Sequence, residues 1–491
     1  MIKRIIPLIV FLAGSFLLPN YAIAQESGDN LKYRKWRITI FPPLSTNGIE
    51  APNYTAKYSI NMLAGYHGGL DGGEIGGLVN FTKHYAHGFQ LAGLGNISGG
   101  DIAGVNIAGL GNISREEMAG IQVAGLTNIS GDDLEGIQVA GAFNIAGDES
   151  SGLQFSGIGN VAKGDLEGLQ GAGILNAAWG DISGLQAAGV ANIAKEDVEG
   201  LQAAGIFNFA GANISGLQAS GAANIAFGDI EGLMVSGGVN VAQKNASGLL
   251  IAGGLNIAQN LEGASISGGA NIARDLNGLQ FAGLLNASQT ATGLQIGVIN
   301  VAKEFEGVPI GIISYYGNGR KNIDVRFSDG GFTDIGLTLG THRVYNSALF
   351  GYNTLLDRDV YRIGLAVGLE KNIQDSFKNW QDETMYVNQE FAITHQFENE
   401  WSNDLNLIYS YKFLLGKRFA DGFSIYGGPA FNAQVTRVNE AEDYTWYSLW
   451  SPKRKGRKYQ FWVGFTAGIR LFKQKAPARF RDEFDNWKLD W

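Results

Sequence analysis

A column of regularly spaced asparagines constrains the fold of this chain more than any other feature of its sequence. The asparagines recur every 16 residues, and the last three steps shorten to 15, 15 and 14 residues. The members of this column are Asn80, Asn96, Asn112, Asn128, Asn144, Asn160, Asn176, Asn192, Asn208, Asn224, Asn240, Asn256, Asn271, Asn286 and Asn300. A fixed period of this length indicates one small structural unit that is copied along an axis.

The repeat unit has the consensus G-[LI]-Q-x-[AS]-G-x-x-N-[IV]-A-x-x-[DE]-x-x, in which we number positions 1 to 16 from the first glycine. Sixteen copies fill the region of about residues 56–316, with first glycines running from Gly72 to Gly307. Each copy has two similar halves of eight residues, and eight residues accommodate one short strand and one tight turn. Two strands that return to the same place after each copy predict one coil of a flattened β-solenoid, with coils stacked about 4.8 Å apart.

Two other repeat architectures compete with the solenoid. A helical repeat is disfavoured, because glycine at positions 1 and 6 of every copy would cost about 1 kcal/mol each in a helix interior. A β-meander with one antiparallel strand per repeat stays open as the alternative.

Small and amide side chains predict how the coils pack. Positions 5 and 11 are Ala or Ser in nearly every copy, as in Ala188 and Ala194. They predict a narrow interior in which methyl groups pack beside aliphatic ladders at positions 2 and 10. The Asn column and a partial Gln column at position 3 predict amide ladders that bond from coil to coil. We therefore expect the asparagines from Asn112 to Asn256 to be structural.

Two groups of side chains raise the question of a metal site. An acidic column at position 14 contains Glu117, Asp133, Glu149, Asp165, Asp181, Asp197 and Asp229. Stacked carboxylates repel one another, so water or a cation such as calcium must offset their charge, and a solvated turn is the favoured interpretation. His84 and His87, with Glu74 nearby in sequence, form the second group, and a solvated loop is again favoured. The sequence predicts no metal and no cofactor.

Outside the repeats, segments of about ten residues alternate between apolar and small or polar side chains. They are Trp36–Phe41, Ile323–Ser328, Ile335–Leu339, Val344–Asn353, Tyr361–Leu369, Met385–Phe397, Leu405–Leu415, Phe423–Val435 and Tyr459–Leu471. Strands of this length and pattern predict an antiparallel membrane β-barrel over residues 317–472, followed by a tail at 473–491, with a β-sandwich as the alternative. Nine segments is an odd number, so at least one of them is expected to lie outside a barrel.

The N-terminal strand segment carries a further hypothesis. If Trp36–Phe41 is the first barrel strand, residues 25–55 belong to the barrel, and the repeats form an insertion between its first and second strands. With a periplasmic N-terminus, that insertion would be extracellular.

The start of the chain resembles a secretory signal peptide. Lys3 and Arg4 precede an apolar stretch at residues 5–18, and Ala22-Ile23-Ala24 forms a cleavage motif, so residues 1–24 are predicted to be removed. A membrane anchor is the alternative, although the apolar stretch is shorter than the roughly 20 residues that span a bilayer. The absence of cysteine excludes disulfides and thiolate metal sites, and the net charge of −9 argues against a nucleic-acid partner.

The copies Gly293-Leu294-Gln295-Ile296-Gly297-Val298-Ile299-Asn300-Val301-Ala302 and Gly307-Val308-Pro309-Ile310-Gly311, together with the entry segment at residues 41–48, carry a resemblance. The region of about residues 36–350 resembles a family of uncharacterised bacterial surface-repeat proteins found in Bacteroidetes and spirochaetes. The resemblance implies export to the cell envelope and carries over no catalytic residues.

No hydrolase, zinc-protease or phosphate-loop motif occurs in the sequence. We therefore expect a non-enzymatic protein of the outer membrane or cell surface, in which the solenoid is a rigid spacer or interaction surface seated on the barrel. The expected partners are outer-membrane lipid and an unknown extracellular or envelope component. The alternative is a channel or transport barrel with a capping repeat region.

Overall fold

The computed structural model describes residues 31–373, 382, 384–398, 400–402, 404–438, 444–454 and 456–472. Its contacts divide the chain into two compact units, Met1–Gly147 and Asp148–Trp491. The predicted signal peptide at residues 1–24 and the predicted tail at 473–491 lie outside the described residues. No helix among the described residues has the length and apolarity that crossing a membrane requires.

The described part of the first unit contains strands and a 3-10 helix, Gly48–Asn53. The strands are β1 (Lys32–Phe41), β2 (Leu44–Ser45), β3 (Tyr54–Asn61), β4 (Ala64–Gly76), β5 (Val79–Ala92), β6 (Gly95–Ser98), β7 (Ile102–Ala108), β8 (Gly111–Ser114), β9 (Met118–Ala124), β10 (Thr127–Ser130), β11 (Leu134–Ala140) and β12 (Phe143–Ala146).

The second unit begins with further solenoid strands. They are β13 (Ser150–Ser156), β14 (Gly159–Ala162), β15 (Leu166–Ala172), β16 (Leu175–Ala178), β17 (Ile182–Ala188), β18 (Ala191–Ala194), β19 (Val198–Ala204), β20 (Phe207–Ala210), β21 (Ile214–Ser220), β22 (Ala223–Ala226), β23 (Ile230–Ser236), β24 (Val239–Ala252), β25 (Leu255–Ser267), β26 (Ala270–Ala282), β27 (Leu285–Ile296), β28 (Ile299–Ile310) and β29 (Ile313–Tyr316).

Within each unit the strands of successive coils pair in parallel and in register. Gly184 faces Gly200 in the β17–β19 pair, and Asn176 faces Asn192 in the β16–β18 pair. The prediction of a solenoid of about sixteen coils is thereby confirmed, and the antiparallel meander is wrong. The predicted two strands per coil are present from β6 to β23. In β4, β5 and β24 to β28 the two are merged into one continuous strand of 12 to 14 residues.

The glycine at position 1 is required by the backbone. All sixteen of these glycines have a positive φ, between 117° and 158°. A Cβ atom at Gly200 would lie 2.1 Å from the carbonyl oxygen of Gly184 in the preceding coil. A side chain at this position would therefore clash with the backbone as well as strain it.

The interior of the coils differs from the prediction in one respect. Side chains at positions 3, 9 and 11 are buried, as in Gln186, Asn192 and Ala194, and the aliphatic side chain at position 15, such as Val198, is buried with them. Positions 2 and 10 are instead half-exposed on the outside of the coil. The prediction of buried aliphatic ladders at positions 2 and 10 is wrong, because these positions alternate with the inward-facing amides at positions 3 and 9 and therefore face outward.

A closed antiparallel β-barrel follows the solenoid in the second unit. Its strands are β30 (Arg320–Ser328), β31 (Phe332–Gly340), β32 (Val344–Asn353), β33 (Val360–Asn372), β34 (Met385–Glu398), β35 (Asn406–Ala420), β36 (Phe423–Thr436) and β38 (Arg457–Leu471), and the short β37 (Lys453–Arg454) pairs only with β38. Each strand pairs with its neighbours in sequence, and β38 pairs back onto β30. The barrel prediction is confirmed over the sandwich.

The number of strands is explained by the segment before the repeats. The strand β1 pairs in parallel with β3, with Trp36 facing Tyr58, and therefore belongs to the solenoid sheet. Assigning residues 25–55 to the barrel is thus wrong for the described part of that range. Without Trp36–Phe41, the nine predicted segments become the eight that close the barrel. Since β1 is not a barrel strand, the repeats are not an insertion between the first two barrel strands, and the hypothesis of an extracellular insertion is no longer supported.

Candidate functional site

The buried asparagines form a continuous ladder in each unit. Asn176 Nδ2 donates to Asn192 Oδ1 at 3.0 Å, and Asn192 Nδ2 donates in turn to Asn208 Oδ1 at 2.9 Å. Each Nδ2 group also donates to backbone carbonyls, as Asn192 does to Ala203 O at 2.7 Å. The amides therefore satisfy one another and the backbone, as the sequence predicts, and none of them offers a free functional group to a ligand.

The glutamines form a second ladder that runs in the opposite direction. Gln186 Nε2 donates to Gln170 Oε1 in the preceding coil at 2.9 Å, whereas each asparagine donates to the following coil. The Gln ladder is interrupted where position 3 is Met234, Leu250 and Ser265. At the two edges of this gap, Gln218 Oε1 and Gln280 Nε2 are buried without a hydrogen-bond partner. Each atom points in the direction in which its ladder would have continued.

Both ladders end on specific polar groups beside the barrel. Tyr316 OH donates to Gln295 Oε1 at 2.9 Å, so the last glutamine keeps a donor. Asn300 Nδ2 approaches Ser314 Oγ at 3.4 Å, and Asn346 of the barrel donates to the same hydroxyl at 2.9 Å. The last glutamine and the last asparagine of the second unit therefore both have a hydroxyl partner at this end, whereas Asn346 Oδ1 is buried without a hydrogen-bond partner.

The first unit caps its Gln ladder with a buried charge. Glu74 occupies position 3 of its copy, accepts from Gln90 Nε2 at 2.9 Å and forms an ion pair with Arg37 Nη2 at 2.9 Å. Asn61 donates to the same carboxylate at 2.7 Å, and His67 Nε2 lies 3.6 Å from it. Since Gln90 donates toward the N-terminus, the ladder requires an acceptor at this end, and the carboxylate supplies it.

Burial governs the protonation of this cluster, which we call the Glu74 cluster (Arg37, Asn61, His67, Glu74 and Gln90). Burial lowers the pKa of His67 to about 4, although Glu74 opposes the shift. Burial also lowers the pKa of Arg37 to about 10. For Glu74, burial favours the neutral acid, but His67, Arg37 and the amide donors lower its pKa overall. At neutral pH the cluster therefore holds a neutral histidine beside an Arg–Glu ion pair.

The acidic column at position 14 acts on the backbone of the next coil. Asp181 Oδ1 accepts the N–H of Asp197 at 3.0 Å, and Asp197 Oδ1 accepts the N–H of Asn213 at 2.7 Å. Asn213 Oδ1 accepts the N–H of Asp229 in the same way, at 2.8 Å. An amide oxygen therefore serves as well as a carboxylate oxygen, which explains why asparagine interrupts the acidic column.

The residues considered for a metal do not come together. Glu74 faces His67, which the sequence interpretation had not linked to it, whereas His87 packs against the ring of Tyr85. Among the described residues no group of three or more His, Asp or Glu side chains is arranged to hold a metal ion. The signal that could have identified the Glu74 cluster is the single acidic residue in a column otherwise filled by uncharged side chains.

The barrel interior is filled with ion pairs that the sequence interpretation did not identify. Asp324 accepts from Arg470 Nε at 2.7 Å, from Arg326 Nη2 at 3.0 Å and from Thr338 Oγ1 at 2.5 Å. The guanidinium carbon of Arg470 lies 5.2 Å from the centre of the Tyr426 ring. These side chains come from β30, β31, β36 and β38, which are neighbours in the closed sheet, so the contacts link the strands on both sides of the closing β30–β38 pair.

Two glutamates extend this network toward both ends of the barrel. Glu370 bonds Arg470 Nη1 at 2.7 Å and Arg418 Nη2 at 2.6 Å. Glu390 bonds Arg326 Nη1 at 2.6 Å and Lys412 Nζ at 3.0 Å. A further pair, Asp334 with Arg362, lies near the end of the barrel that carries the connections 329–331 and 354–359. Every one of these carboxylates is paired, as buried charges must be.

Three tyrosines complete the packing of the barrel interior. Each lies directly over a glycine on the neighbouring strand, in the pairs Tyr345–Gly368, Tyr386–Gly416 and Tyr426–Gly468. A Cβ atom at Gly368 would lie 2.1 Å from the Tyr345 ring. These glycines are therefore required because the tyrosine rings occupy the space of their side chains.

One end of the barrel is joined to the last coil of the solenoid. Asn346 Nδ2 donates to Pro309 O at 3.1 Å, and a ring nitrogen of His342 lies 3.2 Å from Asn318 O. Burial, reinforced by Arg320, lowers the pKa of His342 to about 4, so this turn residue is neutral at physiological pH. We call this end, which carries the turn at residues 341–343, the solenoid end of the barrel. Comparisons with protein-family models, with curated proteins and with solved structures found no match to this chain.

Proposed function

We propose that this chain is a non-enzymatic protein of the outer membrane of a Gram-negative-type bacterium, in which a lipid-embedded barrel carries the solenoid as a rigid spacer or interaction surface. Its barrel is closed and leaves no strand edge, which is the condition for β-structure in lipid. The signal-peptide pattern and the resemblance to bacterial surface-repeat proteins agree with this location.

The observation that carries the proposal is the inverted distribution of polarity in the barrel. Its interior holds buried ion pairs, while large apolar side chains project outward from the middle of the strands. Among the exposed ones are Ile335, Leu337, Phe350, Leu365, Val367, Phe391, Ile393, Phe413, Leu415, Ile425, Phe431 and Phe465. An apolar outer band around a polar interior is the pattern of a barrel whose solvent is lipid.

Aromatic side chains near the strand ends support the same interpretation. At the end opposite the solenoid, Trp401, Trp446 and Trp450 are more than half exposed. Phe419 and Phe472 are exposed at the solenoid end. Aromatic residues concentrate at both interfaces of membrane barrels, because their rings suit the headgroup region.

The lengths of the barrel connections suggest which side faces the periplasm. The solenoid end carries the connections 341–343, 373–384 and 421–422, and the opposite end carries 329–331, 354–359, 399–405 and 437–456. The longest connection is thus opposite the solenoid, and long loops are extracellular in such barrels. We therefore propose that the solenoid end faces the periplasm. Protease treatment of intact cells tests this side: cleavage should occur within 437–456 and spare residues 148–316, and the reverse pattern would contradict it.

Membrane extraction tests the proposal itself. The full chain, expressed with its N-terminal segment in a Gram-negative host, should stay in the outer-membrane fraction after carbonate washing and migrate differently on a gel before and after boiling. The variant Phe391→Arg places a charge in the middle of the outer face of β34 and should destabilise the inserted barrel by about 2–4 kcal/mol. Phe391→Leu is the matched control and should retain both properties. A wild-type chain that carbonate releases would overturn the proposal.

The channel alternative predicts a different property of the same preparation. The ion pairs cross the barrel interior, and a cavity of about 20 Å³ near Asp334 and Arg362 has room for about one water molecule. We therefore expect the reconstituted wild-type chain to show no ion conductance in planar bilayers. Stable conductance steps would favour the channel.

A further inference from the structure

The outer surface of the solenoid has an unusual distribution of charge. Positions 2, 4, 7, 8 and 10 point outward, and no copy has Asp, Glu, Lys, Arg or His at any of them. Apart from the buried Glu74, every charged residue of the sixteen copies lies at positions 12–14 or 16. The coils therefore combine an interior that holds amide ladders beside small and aliphatic side chains with an uncharged exterior on adjoining sides, which we call the uncharged surface (positions 2, 4, 7, 8 and 10). As in the barrel, buried polar side chains lie behind an outward face that has no charge.

The uncharged surface of the second unit is exposed at its corner. Position 7 forms a ridge in which Ile174 is 47% exposed, Ile206 49% and Leu284 55%. Soluble monomers rarely expose a contiguous apolar patch of more than roughly 300–600 Å². The uncharged surface repeats in every coil from residue 148 to 316 and includes these exposed large side chains, and it therefore calls for a specific environment.

The backbone at this corner suits an apolar environment. The N–H of Gly189 donates to Ala172 O at 3.2 Å, and those of Val190 and Ala191 donate to Ile174 O at 3.1 and 3.0 Å. The turn thus leaves none of these three donors to be satisfied by water. Lipid hydrocarbon demands this property of any backbone it contacts, whereas a turn exposed to water has no need of it.

The borders of the uncharged surface carry the residues that favour a membrane interface. Position 12, which follows the last outward apolar position by two residues, is Lys163, Trp179, Lys195, Arg274 or Lys303 in five copies of the second unit. Lys163 and Lys195 are exposed. Basic and tryptophan side chains concentrate where hydrocarbon meets the headgroups.

We propose that the uncharged surface of the coils between residues 148 and 316 contacts lipid hydrocarbon. This inference rests on the proposed function, since the barrel would anchor the chain in a membrane and its periplasmic end would hold these coils next to lipid. Lipid fits the irregular size of the ridge better than a second copy does. Position 7 changes from Ile206 to Ala222 and Gly238 in successive coils, and fluid chains fill such a surface without a complementary partner.

Spin-label accessibility tests the proposal. Because the chain has no native cysteine, each introduced cysteine is the single site that the label can modify. Single cysteines replace Ile174 or Ile206 on the ridge, Glu196 on the charged turn, and Phe391 on the outer face of the barrel. Each full-length variant is labelled with a nitroxide and reconstituted into phospholipid vesicles. Labels at Ile174 and Ile206 should collide more with oxygen, which concentrates in hydrocarbon, than with a water-soluble nickel chelate. The Glu196 label should show the reverse.

The barrel label separates the two proposals. If the Phe391 label is in lipid but the Ile174 and Ile206 labels meet the nickel chelate as often as the Glu196 label, the lipid-contact inference is overturned and the membrane barrel stands. If the Phe391 label also meets the chelate, the proposed function fails as well. Spin–spin coupling between ridge labels that grows with protein density, without oxygen preference, would assign the surface to contact between copies and overturn the inference.

Discussion

The solenoid and the barrel both bury polar side chains, but they satisfy them in different ways. The solenoid uses neutral amides of one type in each column, so that every coil bonds to an identical group in the next. The barrel uses charged side chains of opposite sign that come from strands far apart in the sequence, as in Asp324 and Arg470. The amide ladders can be lengthened by adding further coils. The charge network lies inside a closed barrel with a fixed number of strands, so it cannot be lengthened in this way.

The difference determines what the removal of one side chain should do. In an amide ladder the loss is local, because each neighbour retains its bonds to the backbone and to its other neighbour. In a charge network the loss leaves an ion of the opposite sign buried without full compensation, and that penalty is larger. The following predictions test this comparison in order of expected effect.

The largest effect is expected for Arg470→Met in the barrel. The substitution leaves Asp324 and Glu370 each without one cation and should cost about 3–5 kcal/mol. The temperature at which the compact gel form of the barrel is lost measures the effect. Lys417→Met is the control, because it removes the half-exposed pair with Asp382 and should cost less than about 1 kcal/mol. Equal shifts for the two variants would show that the buried network has no special role.

The Glu74 cluster should make the first unit sensitive to acid. His67 has a folded pKa of about 4, below the ordinary 6.5, so the unfolded chain binds a proton first and stability falls as the pH drops from about 6.5 to 4. The loss should reach roughly 3 kcal/mol near pH 4. Hydrogen exchange in β4 and β5 at pH 7 and pH 4.5 measures it.

His67→Gln provides the matched control for this pH dependence. The variant lacks the titrating ring, so its exchange should change less between the two pH values, whatever its stability at pH 7. The same pH dependence in the variant and the wild type would assign the acid sensitivity to other groups.

The two interiors also differ in how much of them the sequence predicts. In a column of identical residues, such as Asn176 and Asn192, the sequence spacing alone predicts which residues are in contact, because parallel stacking in register places each residue beside its copy in the next coil. The ion pair of Arg470 with Asp324 joins residues 146 positions apart on the strands that close the barrel, and nothing in the alternation of a strand indicates which distant strand it pairs with. Alternation also failed to separate β1 from the barrel strands, since a solenoid strand exposed on one side has the same pattern.

A smaller effect is expected for Asn192→Ala in the solenoid. The change removes the acceptor of Asn176 Nδ2 and the donor to Ala203 O, and should cost about 2 kcal/mol. Hydrogen exchange should rise in β18 and β20 and stay unchanged in the barrel. Gln289→Ala removes an exposed amide and should leave exchange unaltered. A global loss of protection in the Asn192 variant would contradict the local character of the ladder.

The smallest effect is expected for Asp197→Asn in the acidic column. Its role is to accept the N–H of Asn213, and an amide oxygen does this equally well at the neighbouring Asn213, so stability should change by less than about 0.5 kcal/mol. Asp197→Ala removes the acceptor and should cost about 1 kcal/mol. If the column instead held calcium, adding calcium would raise the unfolding temperature of the wild type and not of the Asn variant. We expect no such difference, because the column's oxygens already accept bonds from the backbone of the next coil, and asparagine within the column preserves those bonds without the charge that calcium requires.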